Sequence, residues 1–88
     1  MLFQTGMIVR SKKGHDKGRF YAVHSISGNN VLLTDGDTRK GDRLKKKNMI
    51  HLAPTKTVLN DVQLASDSEI RKILAVFDGR VALPKEVK

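Results

Sequence analysis

The adjacent residues His15 and Asp16 are the first side chains in the sequence that could take part in acid–base or metal chemistry. A metal site needs further histidine, cysteine or carboxylate ligands nearby, and this pair lacks them. His24 and His51 lie far apart in segments typical of strands, where histidine usually serves as a partly buried polar residue. The sequence therefore predicts a surface loop at His15 and Asp16, no catalytic or metal-binding residues, and no cofactor.

Residues 14–18 form a loop bounded by glycines with a lysine inside it. The phosphate-cradling loop of nucleotide hydrolases needs a different glycine spacing, a lysine followed by serine or threonine, and a helix directly after it. Here Arg19, Phe20 and Tyr21 follow the loop and favour a strand. We therefore expect a protein that is not an enzyme and that has no small-molecule substrate.

Positive charge is the strongest chemical signal in the sequence. The 88 residues carry 17 Lys and Arg against 9 Asp and Glu, a formal net charge of +8, and the isoelectric point is near 10.1. The excess lies in residues 1–56, with 12 basic and 4 acidic side chains, whereas residues 57–88 carry 5 of each. A basic body followed by a neutral segment is typical of a nucleic-acid-binding module with an attached packing or partner-binding element.

The basic residues form two groups. The first flanks the loop between the first two predicted strands and consists of Lys12, Lys13, Lys17 and Arg19. The second precedes the last predicted strand and consists of Arg39, Lys40, Arg43, Lys45, Lys46 and Lys47. If both groups share one end of a small barrel, they form one phosphate-binding patch. If they point apart, they are separate solvated surfaces, and Asp35, Asp37 and Asp42 could pair locally with the second group.

The length and composition predict one small globular domain. Hydrophobic residues make up 39% and charged residues 30% of the chain, which lies in the globular range. The absence of cysteine excludes disulfides and thiolate zinc sites. Because no stretch approaches the roughly 18 apolar residues of a membrane helix and the N-terminus lacks a signal-peptide pattern, we expect a cytoplasmic protein without a membrane partner.

Four short runs rich in Val, Ile, Phe and Tyr predict strands, at residues 6–10, 19–26, 31–34 and 48–52. Parallel strands need connections of about a dozen residues or more, so these strands must be largely antiparallel. So few strands bury a core most economically as a small bent barrel. Within the second run, Val23 and Ile26 both look buried. Strict alternation would place them on opposite faces of the strand, so their common burial predicts a β-bulge.

A change in apolar spacing after Pro54 indicates helical structure. Ser66 and Glu69 fit a capping box, and a helix is predicted at residues 67–78. Its apolar stripe consists of Ile70, Ile73, Leu74 and Phe77. A less regular set before it predicts a short helix or an irregular packing segment and consists of Val58, Leu59, Val62 and Leu64.

The helix implies a chain of two parts, a barrel domain over residues 1–55 and a helical C-terminal extension over residues 56–88 that packs on the barrel. The apolar stripe is expected to cover the barrel, which has little core without it. The alternative is that the stripe binds another protein.

Aromatic side chains are scarce, with three Phe and one Tyr. Phe20 and Tyr21 are adjacent on a predicted strand, so one ring should face inward and the other should be exposed. The exposed ring is either a platform for an unpaired base or a surface aromatic without a ligand. With so few rings, recognition should depend mainly on phosphate and shape, which favours structured RNA or a ribonucleoprotein.

A longer pattern runs through the first half of the chain. It comprises Gly6-Met-Ile-Val9, then Lys13-Gly14-His-Asp16-Lys17-Gly18-Arg19, then Val23, Ile26, Asn30-Val31-Leu32-Leu33 and Asp35-Gly36. This pattern resembles the KOW motif, a loop flanked by two strands with a characteristic glycine that corresponds to Gly18. Many KOW motifs carry a second glycine where this chain has Tyr21. The family, which includes ribosomal proteins and NusG-type elongation factors, uses a small SH3-like barrel to bind RNA or protein.

A second likeness lies further along the chain. The lysines of residues 45–47, His51-Leu52 and the segment 68–72 resemble small bacterial KOW proteins related to an archaeal and eukaryotic large-subunit ribosomal protein. The resemblance implies a mainly β fold, namely an SH3-like (KOW) bent barrel with a C-terminal α-helix. It also implies a ribosome-associated protein that binds ribosomal RNA.

We therefore expect a non-catalytic RNA-binding protein that docks its basic loops on ribosomal RNA phosphates. The expected RNA-binding residues are Lys12, Lys13, Gly14, His15, Lys17, Gly18, Arg19, Arg39, Lys40, Arg43, Lys45, Lys46 and Lys47, with base stacking by Phe20 or Tyr21. The alternative is a protein-interaction module of the transcription or translation machinery. Charge alone also permits duplex DNA binding.

Overall fold

One five-stranded antiparallel sheet forms the framework of the protein. The structure, a computed structural model, describes residues 3–79. Its strands are β1 (Met7–Ser11), β2 (Phe20–Ser27), β3 (Asn30–Thr34), β4 (Lys45–Asn48) and β5 (Leu52–Val58), in the order β4-β3-β2-β1-β5. A 3-10 turn (Met49–His51) joins β4 to β5, and two helices follow, α1 (Asp61–Leu64) and α2 (Asp67–Phe77). The prediction of a mainly β, antiparallel fold is confirmed.

The predicted strands at residues 6–10, 19–26 and 31–34 are confirmed as β1, β2 and β3, but the one at residues 48–52 is wrong. The Asn48 side chain accepts the Ile50 N–H at 3.0 Å and caps a 3-10 turn, so the chain bends where a strand was expected. Strands lie on both sides of that turn. Pro54 lies inside the edge strand β5, a position that tolerates a missing N–H donor. Because β5 ends at Val58, the sheet continues past the boundary predicted at residue 55.

Apolar side chains are buried on both faces of the sheet. Alternation along β1 sends Met7 and Val9 to one face and Ile8 to the other. The first face holds the core of Phe3, Met7, Val9, Tyr21, Val23, Val31, Leu33 and Leu52. The second face holds Ile8, Ala22, Leu59, Ile70 and Leu74, of which the last two belong to α2. Strands β1 and β2 are therefore covered on both faces.

The predicted bulge in β2 is confirmed. The pairing register of β2 with β3 shifts between Val23 and Ser25, so His24 is the extra residue. The shift lets Val23 lie fully inside the first core while Ile26 packs against the same core. Among the described strands, β4 and β5 form the two edges of an open sheet.

Helix α2 packs on the sheet as its apolar spacing predicts. The Ser66 hydroxyl accepts the Glu69 N–H at the start of the helix. Ile70 and Leu74 are 1% and 2% exposed, and the Phe77 ring centroid lies 5.2 Å from that of Phe20. The centre of the apolar stripe is therefore buried against the sheet of the same chain. Residues 80–88 of the predicted extension lie outside the described residues. No helix in the described part is long and apolar enough to cross a membrane.

Candidate nucleic-acid interface

A buried carboxylate joins the β1–β2 loop to strand β4. Asp16 is 9% exposed and accepts hydrogen bonds from the Ser11 hydroxyl at 2.9 Å and from the Tyr21 hydroxyl at 3.1 Å. Its Oδ1 also lies 2.8 Å from Lys47 Nζ, and its Oδ2 lies 3.6 Å from Lys45 Nζ. Two lysines of the second basic group therefore contact, through Asp16, the loop that the first basic group flanks.

The surroundings of Asp16 keep it ionised. Burial raises the pKa of this carboxyl, but hydrogen bonds from Lys47, Ser11 and Tyr21 and the positive charge of Lys45 outweigh burial and hold the pKa well below its usual 3.8. Burial, reinforced by the adjacent carboxylate, raises the pKa of Tyr21 to about 12. At neutral pH the site thus holds a carboxylate and a neutral phenol that donates to it.

The three consecutive lysines of β4 do not share one environment. The Lys47 side chain is 12% exposed, and its Nζ donates to Asp16 and to the Lys13 carbonyl oxygen, each at 2.8 Å. The Lys45 side chain is 27% exposed and lies beside the same carboxylate. Because neighbouring strand residues point to opposite faces, Lys46 projects away from the other two and is exposed. Lys45 and Lys47 therefore hold the loop in place, and any contact they make to RNA competes with Asp16.

Gly14 and Gly18 set the turn of the β1–β2 loop. Their φ angles are +94° and +91°, a region that residues with a side chain rarely adopt. The Gly18 N–H donates to the Ser11 carbonyl oxygen at 2.8 Å, which closes the loop at its base. His15 and Lys17 consequently lie on the exposed side of the loop.

Asp35 organises the loop between β3 and β4. Its Oδ1 accepts the N–H groups of Asp37 and Arg39, each at 2.8 Å, and its Oδ2 accepts the Thr38 hydroxyl at 3.2 Å. Its Oδ2 also lies 3.8 Å from Nη2 of Arg19. Burial raises the pKa of Asp35, but these donors and the guanidinium lower it overall. The sequence left open that Asp35 pairs locally with the second basic group, but its ion pair is with Arg19 of the first group.

Helix α2 holds the same loop from the other side. Arg71 Nη1 donates to the Gly36 carbonyl oxygen at 2.7 Å, and Lys40 Nζ lies 3.9 Å from Asp67 Oδ2. Both members of the second pair are about half exposed, so that pair adds little to stability. The helix therefore helps to position the β3–β4 loop.

Strand order places both basic loops at one end of the sheet. In an antiparallel sheet the β1–β2 and β3–β4 connections emerge on the same side. Arg19 is exposed but paired with Asp35, and Lys40 is paired with Asp67. Six cations of the two groups are exposed and form no ion pair within the described residues, namely Lys12, Lys13, Lys17, Arg39, Arg43 and Lys46. We refer to them as the six unpaired cations.

Neither ring predicted to stack on a base is available. Tyr21 is 2% exposed, with its ring in the first core and its hydroxyl on Asp16. Phe20 is half-buried against Phe77 of α2. The prediction that one of the two rings would be exposed is wrong, because the sheet is covered on both faces at this position.

Asp16 and Arg71 are positioning residues that the sequence did not predict, and Asp35 was predicted only as a possible local ion-pair partner. Asp16 was predicted to lie in a surface loop. Its main partner, Lys47, lies 31 residues away in the sequence, and residue spacing within a loop does not indicate so distant a contact. The one available signal was Tyr21, since a buried tyrosine hydroxyl usually requires a hydrogen-bond partner.

Comparisons with known proteins add no family assignment. No protein-family model matches the chain, and no curated protein matches it. Within residues 3–79, no group of three or more His, Asp or Glu side chains is placed to hold a metal ion.

Proposed function

We propose that this chain is a non-catalytic RNA-binding protein that docks the six unpaired cations on RNA phosphates. The observation that carries the proposal is the placement of both basic loops at one end of the sheet, each anchored by a buried acidic residue, Asp16 or Asp35. A polyanion with closely spaced phosphates releases counterions when it binds such a surface.

The anchoring makes the surface suitable for binding. The β1–β2 loop is tied to β4 through Lys47 and to the β3–β4 loop through Arg19 and Asp35. Since the backbone of both loops is already ordered, less conformational entropy is lost when RNA binds. The unpaired lysine and arginine side chains extend from this ordered backbone into solvent.

Structured RNA is the favoured class of ligand. The chain has four aromatic rings, at Phe3, Phe20, Tyr21 and Phe77, and all are buried or half-buried. Because none of these rings is exposed for stacking on a base, RNA would be recognised mainly through its phosphates and its shape. Charge alone also permits duplex DNA, which competition with RNA at equal salt would separate from RNA binding.

The finer fold assignment belongs to the same proposal. The strand order, the bulge at His24 and the 3-10 turn between β4 and β5 support a strongly bent, SH3-like barrel of the KOW type. The resemblance of residues 6–36 to the KOW motif supports ribosomal RNA as the ligand and the cytoplasm as the location. The alternative of a protein-interaction module through the α2 stripe is weaker, because Ile70 and Leu74 are buried against the sheet.

Gradient sedimentation of cell lysate tests this proposal directly. The untagged protein, detected in each fraction with and without prior RNase treatment, should co-migrate with the large ribosomal subunit and shift to the top after RNase. RNase-sensitive migration away from the subunit would support RNA binding and contradict the ribosomal assignment. Migration as free protein in both samples would contradict the proposal as a whole.

A further inference from the structure

We infer that Ile50 contacts RNA directly by packing its side chain against an unpaired base. This inference rests on the proposed function and refines it, because it predicts a preference for RNA with looped-out nucleotides over uninterrupted duplex. Ile50 lies in the 3-10 turn and is 71% exposed.

The turn is held at both of its ends by neighbouring parts of the fold. The Met49 N–H donates to the Asn29 carbonyl oxygen in the β2–β3 turn at 2.9 Å. The Lys12 N–H donates to the His51 carbonyl oxygen at 2.8 Å, where the basic β1–β2 loop begins. Ile50 therefore lies between a polar turn and the backbone of Lys12, one of the six unpaired cations.

The neighbours of Ile50 occupy the core, whereas Ile50 itself faces solvent. Met49 packs against the first core, and Leu52 is 2% exposed within it. The Asn48 side chain accepts the Ile50 N–H and fixes the backbone between them. An aliphatic side chain is thus presented to solvent on an ordered turn, which lowers the entropic cost of any contact it makes.

The chemistry of the surroundings selects a nucleic acid as the partner. From Arg43 to Asn60 the chain carries no acidic side chain, whereas lysines occupy positions 45–47. An anionic ligand held by Lys12 would be brought next to Ile50. No aromatic ring is exposed, and of the exposed large apolar side chains in residues 3–79, Ile50 lies closest in sequence to the lysines of β4. Isoleucine is one of the apolar side chains that can pack against the faces of unstacked bases.

Exposed apolar residues are common on protein surfaces, so the test needs a matched control. Val62, on the short helix α1, is 80% exposed and supplies one. The probes are a labelled RNA hairpin with several unpaired loop nucleotides and a blunt RNA duplex of the same stem sequence. Binding is measured by fluorescence anisotropy with wild type, Ile50→Ala and Val62→Ala.

Wild type should bind the hairpin more tightly than the duplex, and Ile50→Ala should lose about fivefold to tenfold in hairpin affinity with little loss on the duplex. The loss should be equal at about 50 and about 200 mM salt, because an apolar contact releases no counterions. Val62→Ala should match wild type on both probes.

Equal hairpin affinities for Ile50→Ala and Val62→Ala would overturn this inference while leaving RNA binding intact. Absence of salt-sensitive binding of either RNA by wild type would overturn the proposed function, and this inference with it. A loss for Ile50→Ala that is equally large on hairpin and duplex would also overturn the assignment to an unpaired base.

Discussion

Replacing Lys12 and Lys17 together with Glu should lower RNA affinity by about a hundredfold at low salt and leave the fold intact. Both side chains are exposed and form no ion pair in residues 3–79, so their reversal breaks no ion pair there. Each substitution removes one phosphate contact and places a carboxylate opposite the RNA backbone. Fluorescence anisotropy with a structured RNA measures the loss, and circular dichroism checks the fold.

The matched control is the double variant Lys56→Glu/Lys72→Glu. It changes the net charge by the same amount, but Lys56 lies on the opposite edge strand β5 and Lys72 on α2. Lys72 loses an ion pair with Glu69, which is exposed and adds little to stability. This control should retain RNA affinity within about threefold. Equal losses in both double variants would show that net charge alone governs binding, which contradicts a localised site.

The lysines of β4 are poorer targets for such a test. Lys45 and Lys47 both lie beside the buried Asp16, so reversing them places carboxylates together and disturbs the loop itself. A loss of RNA binding in that variant would not separate contact from folding. Lys46 alone is suitable, because it is exposed and projects to the other face.

Asp16→Asn should destabilise the protein by about 3 kcal/mol, which corresponds to a fall of roughly 12 to 24 °C in the melting temperature of a domain this small. The amide keeps the shape of the carboxyl group but removes its charge. Lys47 Nζ, 12% exposed, would then face a neutral amide instead of a carboxylate, and an NH2 group would replace one of the two oxygens that accept hydrogen bonds from Ser11, Tyr21 and Lys47. Thermal unfolding at neutral pH measures the change.

The stability gap between wild type and Asp16→Asn should depend on pH. The folded-state pKa of Asp16 lies below its usual value of 3.8, so the ionised carboxylate stabilises the fold at every pH above that value. When the pH falls below about 4, the unfolded chain takes up the proton first and this stabilisation declines. The difference in stability should therefore be constant from about pH 5 to about pH 8 and should shrink progressively on further acidification.

Asp42→Asn is the control for this variant, because Asp42 is exposed in the β3–β4 loop. It should unfold at nearly the wild-type temperature. The structural role of Asp16 would be contradicted by two results: a melting temperature of Asp16→Asn that equals that of Asp42→Asn, or a stability gap that stays unchanged into strong acid.

Features that depend on local sequence could be predicted. The first three strands follow from runs of β-branched and aromatic residues between turn residues, and the bulge at His24 follows from the positions of Val23 and Ile26. Helix α2 follows from Ser66 and from the apolar spacing after it, because capping and helical periodicity act within a few residues.

Features that depend on distant contacts could not be predicted. The pairing of Asp16 with Lys47 joins residues 31 apart in the sequence. Because Asp16 also lies beside Lys45, both lysines hold the loop in place instead of extending into solvent as predicted. The burial of Phe20 required knowing that α2 covers the second face of the sheet. The ring of Tyr21 faces inward, as predicted for one of the two rings. The ring of Phe20 is not exposed, because α2 covers the face of the sheet on which it lies.

The most direct test of phosphate docking is the salt dependence of RNA affinity for the wild-type protein. If the six unpaired cations contact phosphates, a plot of the logarithm of affinity against the logarithm of salt concentration should have a slope of about −4 to −5. Affinity should then fall roughly a thousandfold between about 50 and about 200 mM salt. A nearly flat response would contradict phosphate docking as the basis of binding.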